Sequence, residues 1–283
     1  MRNLKKFFSL FLVLILAVVT FACNTSTNVA SQEPESSVTA EQKELIVFAA
    51  ASMTETMNQI AELYMSENPD TKIIYNFDSS GTLLKQIVSG ADCDIFISAA
   101  QKQMNNLDST KSGDDNPDKN DFVLQGTRIN LLENKVALAV PDGNPKEINT
   151  YTDLTTDKLS LLAIGNSDVP VGSYTLEILE YLGTSAEELE KAGKITYGSN
   201  VKEVTTQVKE GTVDAGIIYA TDAASANLQV VDLATKDMCK QVIYPAAVLN
   251  ITKNESESKK FLNYLKTDKA MKIFESVGFA KAN

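Results

Sequence analysis

The chain alternates short apolar runs with longer amphipathic stretches, and this pattern restricts the folds that it can adopt. Residues 45–50 are typical of a buried strand, and residues 53–67 then place apolar side chains at helical spacing. The same succession recurs further along, with strand-like runs at 94–98 and at Ala215–Tyr219. Near-continuous apolar strands separated by helices indicate parallel sheets covered on both faces.

Two such strand and helix series follow one another and predict two doubly wound α/β lobes. We assign residues 44–140 together with 242–283 to the first lobe, and residues 141–241 to the second. The sequence PDGNP, which begins at Pro141, is a strong turn signal at this boundary. In doubly wound sheets ligands bind where the carboxyl ends of strands meet helix N-termini, so we expect a ligand cleft between the lobes.

Residues 1–22 have the organisation of a secretory signal peptide. The three basic residues that open it are Arg2, Lys5 and Lys6. An uncharged, mostly apolar run follows, and it is shorter than the ~20 apolar residues of a membrane-spanning helix. Its end resembles the lipobox of bacterial lipoproteins, with Ala22 before a lipidated Cys23, although Thr20 stands where an aliphatic residue is preferred. A secretory peptide without lipidation is the alternative.

Residues 23–43 are predicted to form the lipidated Cys23 and a flexible tether. The segment after Cys23 consists mainly of Thr, Ser, Gln and Glu and has little apolar content. Such a segment buries too little surface to offset its ordering entropy. The sequence therefore predicts an extracytoplasmic domain that is anchored to the cell membrane through lipid.

Charge and composition exclude several classes of function. The chain has 26 Lys and Arg against 37 Asp and Glu, and loss of the three signal-peptide cations changes the net charge from −11 to −14. A strongly acidic protein lacks the clustered cations that bind nucleic acid. With no histidine, the chain has neither a Ser-His-Asp triad nor a His-based zinc site. We therefore expect no catalytic residues and no cofactor.

Two cysteines remain in the folded part, Cys93 and Cys239, and they lie far apart in the sequence. We expect two separate thiols. A disulfide formed in an oxidising compartment is the alternative.

Four predicted strand-to-helix junctions place small or polar residues at a helix start. The junctions are residues 49–55, 77–83, 168–173 and 198–203. Ser52 with Glu55, and Asn200 with Glu203, have capping-box spacing, whereas Pro170 opens a helix without a side-chain cap. A helix N-terminus presents unpaired N–H groups and a partial positive charge, so it binds anions without a cationic side chain. One such junction is an ordinary cap, and four make a site only where they converge.

Six segments spaced along residues 45–280 carry a family resemblance. They are VFAAAS at 47–52, SSGTL at 79–83, DIFISA at 94–99, VPVG at 169–172, GIIYATDA at 216–223 and YPAAV at 244–248. In this order, they make the sequence similar to the molybdate-binding proteins of bacterial molybdate ABC importers. The resemblance implies a fold like that of type II periplasmic binding proteins, with two doubly wound α/β lobes and a ligand cleft between them.

The resemblance also implies the residues that hold the oxyanion. Two serines of the first lobe fall on Ser52 and Ser80, and backbone amides of the second lobe fall on Val171 and Val201. The hydroxyl of one tyrosine falls on Tyr219. The set contains no metal ligand apart from these contacts to the oxyanion itself.

Some residues near these positions have alternative or negative roles. Ser79 is an alternative donor to Ser80, and the register at Val201 has a shift of one residue as its alternative. Asp78 would repel a dianion, so we expect its carboxylate to point away. We expect Asp222 to cap the helix that follows Tyr219.

The predicted function is that of a monomeric extracytoplasmic lipoprotein that captures molybdate and delivers it to an ABC-type permease. A tetrahedral dianion offers only hydrogen-bond acceptors, whereas a protonated phosphate also brings an O–H donor, for which a site made of donors has no acceptor. Closure is expected to use hinges near residues 140–144 and 244–247. The alternatives are a receptor for tungstate or sulfate and, from another class, an extracytoplasmic hydrolase.

Overall fold

The computed structural model of the protein describes residues 42–282, so the predicted signal peptide, the predicted lipidation at Cys23 and most of the predicted tether lie outside the described residues. Its strands are β1 (Lys43–Ala50), β2 (Thr71–Asp78), β3 (Ile95–Ile97), β4 (Ile129–Asn134), β5 (Val136–Val140), β6 (Leu162–Gly165), β7 (Ile195–Gly198), β8 (Ala215–Tyr219), β9 (Gln229–Leu233), β10 (Val242–Val248) and β11 (Ala280–Lys281). Its α-helices are α1 (Thr54–Glu67), α2 (Ser80–Val88), α3 (Gln101–Asn105), α4 (Pro170–Tyr181), α5 (Ala186–Lys191), α6 (Val201–Lys209), α7 (Ala220–Ala226), α8 (Glu255–Tyr264) and α9 (Asp268–Glu275). A 3-10 turn at Ala51–Met53 leads into α1. None of the helices in 42–282 is long and apolar enough to cross a membrane.

The strands form two sheets, each of which belongs to one lobe. The first has the order β11-β4-β10-β3-β1-β2, and the second has the order β7-β6-β8-β5-β9. Strands that are joined through helices, such as β1 with β2 and β6 with β7, are parallel as predicted. By contrast, β10 runs antiparallel to β3 and β4, and β5 runs antiparallel to β8 and β9. The sheets are therefore mixed, because β5 and β10 each enter their sheet directly from the other sheet and not through a helical crossover within it.

The chain passes from one sheet to the other twice. The first crossing is Lys135, between β4 and β5, and the second is residues 234–241, between β9 and β10. Because Val136–Val140 pairs with β8 and β9, the prediction that the first lobe extends to residue 140 is wrong by one strand. The turn signal at Pro141 that suggested a boundary follows β5 within the second lobe. The predicted hinge segments 140–144 and 244–247 therefore differ from the observed crossings.

Helices cover both faces of the first sheet, as the apolar character of its strands requires. Val47 of β1 belongs to a large core that includes Met57 and Ile60 of α1. Its neighbour Phe48 belongs to a second core, on the opposite face, with Leu83 of α2. Successive side chains of a strand point to opposite faces, so two buried neighbours require two cores. This packing holds α1 and α2 with their N-termini at the same edge of the sheet.

The two cysteines of the folded part are separate. Cys93 is buried in the first lobe, Cys239 is half-buried in the second crossing, and both are free thiols. The prediction of two unpaired cysteines is confirmed.

Candidate functional site

A small cavity lies between the two lobes, at the ends of their strands. Its volume of about 10 Å³ is far below the ~300 Å³ at which pockets for drug-sized molecules begin, so it suits only a ligand of few atoms. The first lobe lines it with Ala50, Ala51, Ser52, Asp78, Ser79, Ser80 and Ala99, and the second lobe with Val169, Pro170, Val201 and Tyr219. Among these described lining residues there is no lysine and no arginine.

The structure brings together four of the five residues that the resemblance implied. Ser52, Ser80, Val201 and Tyr219 line the cavity, and each is at most 4% exposed. Val171 is also fully buried, but it is not among the lining residues, whereas its neighbours Val169 and Pro170 are.

All four strand-to-helix junctions converge on the cavity, which the sequence alone could not establish. The lining includes residues from the turn before α1 and from the starts of α2, α4 and α6. The amides of a first helical turn have no carbonyl partner within the regular helix. Among the described residues, the Ser79 side chain accepts from the Thr82 amide of α2, and the Asn200 side chain accepts from the Glu203 amide of α6. The start of α4 has apolar Val169 at its N-cap and Pro170 at its first position, and the Gly172 amide donates to the Val169 carbonyl at 2.8 Å. The Val171 amide therefore remains for a ligand.

The two serines at the start of α2 have different hydrogen bonds. Ser79 Oγ accepts from the Thr82 amide at 3.1 Å and donates its proton to Thr82 Oγ1 at 2.8 Å. Ser80 Oγ accepts from the Ala99 amide at 2.9 Å, which leaves its own proton for another acceptor. Of the two, Ser80 is the hydroxyl that can donate into the cavity.

Tyr219 ends β8 with its hydroxyl at the boundary between the lobes. The hydroxyl donates to the Ala99 carbonyl across that boundary at 3.5 Å, a long and weak hydrogen bond. Its ring packs edge-on against Tyr244, with the ring centroids 5.7 Å apart. Burial raises the pKa of Tyr219 well above its usual value, so the hydroxyl keeps its proton and remains a donor.

Two aspartates, Asp78 and Asp222, lie near the site. Asp78 is among the residues that line the cavity, and its Oδ1 accepts from the Ser79 amide at 2.7 Å. That its carboxylate points away from the ligand stays a prediction. Asp222 is fully buried, and its carboxylate lies 3.2 Å from Lys202 Nζ instead of capping α7, so the predicted cap is wrong. The N-cap of α7 is Tyr219, which leaves Asp222 inside the first turn and facing α6.

The Asp222 and Lys202 pair has strongly perturbed titration. Burial raises the pKa of the Asp222 carboxyl to about 6, against the opposing effect of Lys202. Burial alone would lower the pKa of Lys202, but the charges and hydrogen bonds of Asp222 and Glu55 raise it above its usual value. Lys202 therefore stays charged between the two carboxylates.

The lobes contact each other around the rim of the cavity. The Gly81 amide of α2 donates to the Asp168 carbonyl at 3.0 Å, and Lys85 Nζ lies 2.5 Å from the Asp168 carboxylate. On the opposite rim, Lys202 Nζ of α6 lies 2.7 Å from the Glu55 carboxylate of α1. These contacts join the helix ends that form the walls, so closure and the shape of the cavity depend on each other.

The site has the chemistry of an anion receptor. Hydroxyls and helix-end amides are donors, and their enclosure between two lobes suits a ligand with acceptors on every side. Across residues 42–282, no group of three or more His, Cys, Asp or Glu side chains is placed to hold a metal cation.

Several known proteins are similar to this chain in sequence and in fold. A family model described as bacterial extracellular solute-binding protein matches residues 45–280. The putative ABC transporter substrate-binding lipoprotein YvgL of Bacillus subtilis (strain 168) is 33% identical over 275 residues, which are 97% of this chain and 98% of that protein. The molybdate-binding protein ModA of Escherichia coli (strain K12) is 34% identical over 247 residues, 85% of this chain and 90% of that one. The structure of the Azotobacter vinelandii periplasmic molybdate-binding protein has a TM-score of 0.72 and 21% identity, over 84% of this chain and 100% of that one, and shows the same two-lobed fold.

Proposed function

This chain belongs to the bacterial extracellular solute-binding proteins, and we propose that it captures molybdate and delivers it to an ABC-type permease. The observation that carries the proposal is the cavity itself, where four helix starts and three hydroxyls meet without a cationic side chain among the described lining residues. The molybdate-binding protein of Escherichia coli, at 34% identity, supports the choice of oxyanion.

The proposed contacts are the hydroxyls of Ser52, Ser80 and Tyr219 and the backbone amides of Val171 and Val201. Charge-assisted hydrogen bonds contribute about 1.5–3 kcal/mol each, so these five donors would contribute roughly 8–15 kcal/mol before costs. Lost rigid-body freedom takes back at least ~4 kcal/mol, and dehydration of the dianion takes more.

The protein is proposed to act from the outer face of the cell membrane, held as a monomer through lipid on Cys23. The signal sequence, the lipobox-like end and the name of the Bacillus subtilis lipoprotein support this anchor. We expect Cys23→Ala to move the secreted protein from the membrane fraction into the soluble fraction. Retention of Cys23→Ala in washed membranes would rule out this anchor.

Competition calorimetry with molybdate, tungstate and sulfate tests the ligand. We expect molybdate and tungstate to bind and to displace each other, because they are nearly the same size and carry the same charge. Sulfate is smaller and should compete weakly in a cavity of fixed size. Tightest binding of sulfate, or no heat with any of the three, contradicts the proposal.

Two variants test the site. We expect Ser80→Ala and Tyr219→Phe each to weaken molybdate binding by at least ~10-fold, because each removes one charge-assisted donor. The control is Tyr151→Phe, which removes a buried hydroxyl of the same lobe as Tyr219 that has no hydrogen-bond partner within the described residues. Unchanged affinity in both site variants would show that the ligand binds elsewhere.

An enzymatic role is the alternative from another class. The relatives are solute-binding transport proteins, and we infer that this chain also performs no catalysis. Turnover of ester or phosphoester substrates by the purified protein would refute that inference.

A further inference from the structure

A chain of hydrogen bonds leads from the first crossing between the lobes to Ser52. The Lys135 amide donates to Asn134 Oδ1 at 2.8 Å, and Asn134 Nδ2 donates to the Tyr244 hydroxyl at 3.1 Å. The Tyr244 hydroxyl lies 2.9 Å from Ser52 Oγ. All three side chains are at most 8% exposed, so protein groups rather than bulk water must satisfy them.

The backbone amide of Lys135 fixes the direction of each hydrogen bond in this network. An amide N–H can only donate, so the Asn134 atom that faces Lys135 is the oxygen and its nitrogen must donate onward. Asn134 Nδ2 gives one proton to Tyr244 and the other to Thr221 Oγ1 at 2.9 Å. Tyr244 thus accepts from Asn134, and among the described residues the only remaining partner for its own buried proton is Ser52 Oγ.

Donation from Tyr244 leaves Ser52 with one free proton. Burial raises the pKa of Tyr244 well above its usual value, so its hydroxyl remains a donor at every physiological pH. Because Ser52 Oγ receives the Tyr244 proton and also lines the cavity, its own proton is directed to the ligand. Ser80 is oriented in the same way by the Ala99 amide.

We propose that Asn134 and Tyr244 are positioning residues that make Ser52 an obligate donor and so select fully deprotonated oxyanions over protonated ones. The inference rests on the proposed oxyanion-binding function. A protonated oxyanion brings an O–H group, which would meet oriented donors rather than acceptors at Ser52 and Ser80. A serine free to rotate could turn a lone pair toward that group. The network removes this freedom.

Tyr244→Phe tests the proposal, because it deletes the hydroxyl that orients Ser52 and keeps the aromatic ring. We expect molybdate affinity, measured by calorimetry, to fall about 5–30-fold. This is less than the roughly 10–150-fold of one hydrogen bond to a charged ligand lost completely, because Ser52 keeps its hydroxyl. Tyr64→Phe is the matched control, since it removes a buried hydroxyl of the same lobe that has no partner among the described residues. We expect Tyr64→Phe to retain the affinity of the unaltered protein.

A double-mutant cycle with Ser52→Ala separates positioning from general damage. If Tyr244 acts through Ser52, then Tyr244→Phe should cause less than a twofold further loss in the Ser52→Ala background. An equal loss in both backgrounds would overturn the proposal, because it would show that Tyr244 acts on the fold or on the ligand directly.

Selectivity provides a second readout. Inorganic phosphate carries a proton at neutral pH. We expect the ratio of phosphate affinity to molybdate affinity, measured by competition, to be higher in Tyr244→Phe than in the unaltered protein. Phosphate that competes equally poorly with both proteins would overturn the selectivity argument. If the unaltered protein binds no molybdate, the proposed function fails. If it binds molybdate and Ser52→Ala and Ser80→Ala leave the affinity unchanged, the proposed site fails and the positioning role fails with it. If they abolish binding and Tyr244→Phe has no effect, only the positioning role fails.

Discussion

The two lobes supply donors of different kinds to the same cavity. The first lobe offers the side-chain hydroxyls of Ser52 and Ser80, each with its oxygen already accepting a proton from another group. The second lobe offers helix-end amides, which only a proline substitution can delete, together with the Tyr219 hydroxyl at the end of β8. Side-chain truncation should therefore remove contacts at Ser52, Ser80 and Tyr219, whereas the amide contacts of the second lobe are weakened only when a helix start moves.

The largest effect should come from preventing the two lobes from meeting. A Cβ atom on Gly81 would lie 2.4 Å from the Asp168 carbonyl oxygen of the other lobe. We expect Gly81→Ala to weaken molybdate binding by at least ~100-fold, at the upper end of the ~1–3 kcal/mol that overpacking costs. The ligand-free protein should keep its thermal midpoint, since alanine suits α2 better than glycine does. Calorimetry and thermal unfolding measure the two effects.

The control for this prediction is a glycine whose clash stays within one lobe. A Cβ atom on Gly172 would lie 2.4 Å from the Gly165 carbonyl oxygen, inside the second lobe. Gly172→Ala should lower the thermal midpoint of the ligand-free protein, in contrast to Gly81→Ala. Wild-type affinity in Gly81→Ala would show that the ion binds without the contact between α2 and Asp168.

The second lobe differs from the first in having a fully buried carboxylate, Asp222, beside its donors. Burial raises its pKa from 3.8 to about 6, so the folded protein holds this proton more tightly than the unfolded chain does. As pH rises from about 4 to about 6, Asp222 therefore destabilises the fold progressively, by up to ~3 kcal/mol at ~1.36 kcal/mol per pH unit, and the cost is constant above that range.

Asp222→Asn removes this cost, because the amide does not titrate. The stability gain of Asp222→Asn over the unaltered protein, measured by chemical denaturation, should be near zero at pH 4 and should grow until about pH 6. A gain that is independent of pH, or that shrinks as pH rises, would contradict the assignment of the raised pKa to Asp222.

The amides at the start of α6 can be tested through the cap that holds that helix end. Asn200 accepts from the Glu203 amide at 3.1 Å, and loss of such a cap costs about 1 kcal/mol. We expect Asn200→Ala to lower stability by this amount and to weaken molybdate binding about 2–5-fold, because the first turn of α6 frays. Ser185→Ala removes the equivalent cap of α5, where Ser185 accepts from the Glu188 amide at 3.2 Å away from the cavity lining. It should show the same stability loss with unchanged affinity, and equal losses of affinity in both variants would refute the role of α6.

Helices and strands with a clear apolar pattern could be predicted from the sequence. Strand direction, and strands that depend on pairing with distant segments, could not. β8 has its predicted bounds, Ala215–Tyr219, because a continuous apolar run is a local signal. β4 was not predicted, because its alternation is irregular, and it is held by pairing with β10, more than 100 positions away. The antiparallel strands follow from connections that no local pattern specifies.

The candidate site was predictable to a similar degree. The family resemblance placed Ser80 and Tyr219 at the cavity, since their flanking segments are distinctive. The orienting role of Tyr244 was missed, because it depends on a hydrogen bond to Ser52 across 192 positions and on the direction of its proton. Asp222 was misassigned for the same reason, as its partner Lys202 belongs to a neighbouring helix.

The smallest effect is expected at the ion pair that joins the rims, between Glu55 of the first lobe and Lys202 of the second. The Glu55 side chain is 45% exposed, and ion pairs of this exposure contribute about 0–1 kcal/mol. We expect Glu55→Gln to weaken molybdate binding by up to ~5-fold at low ionic strength, with the difference decreasing as salt is added. Glu187→Gln removes an exposed pair with Lys191 inside the second lobe and should leave affinity unchanged. If Glu55→Gln instead keeps its affinity at low salt, as Glu187→Gln should, then the ion pair of Glu55 does not help to hold the lobes closed. Closure would then depend on the contact between Gly81 and Asp168 on the other rim, together with the bonds to the ligand.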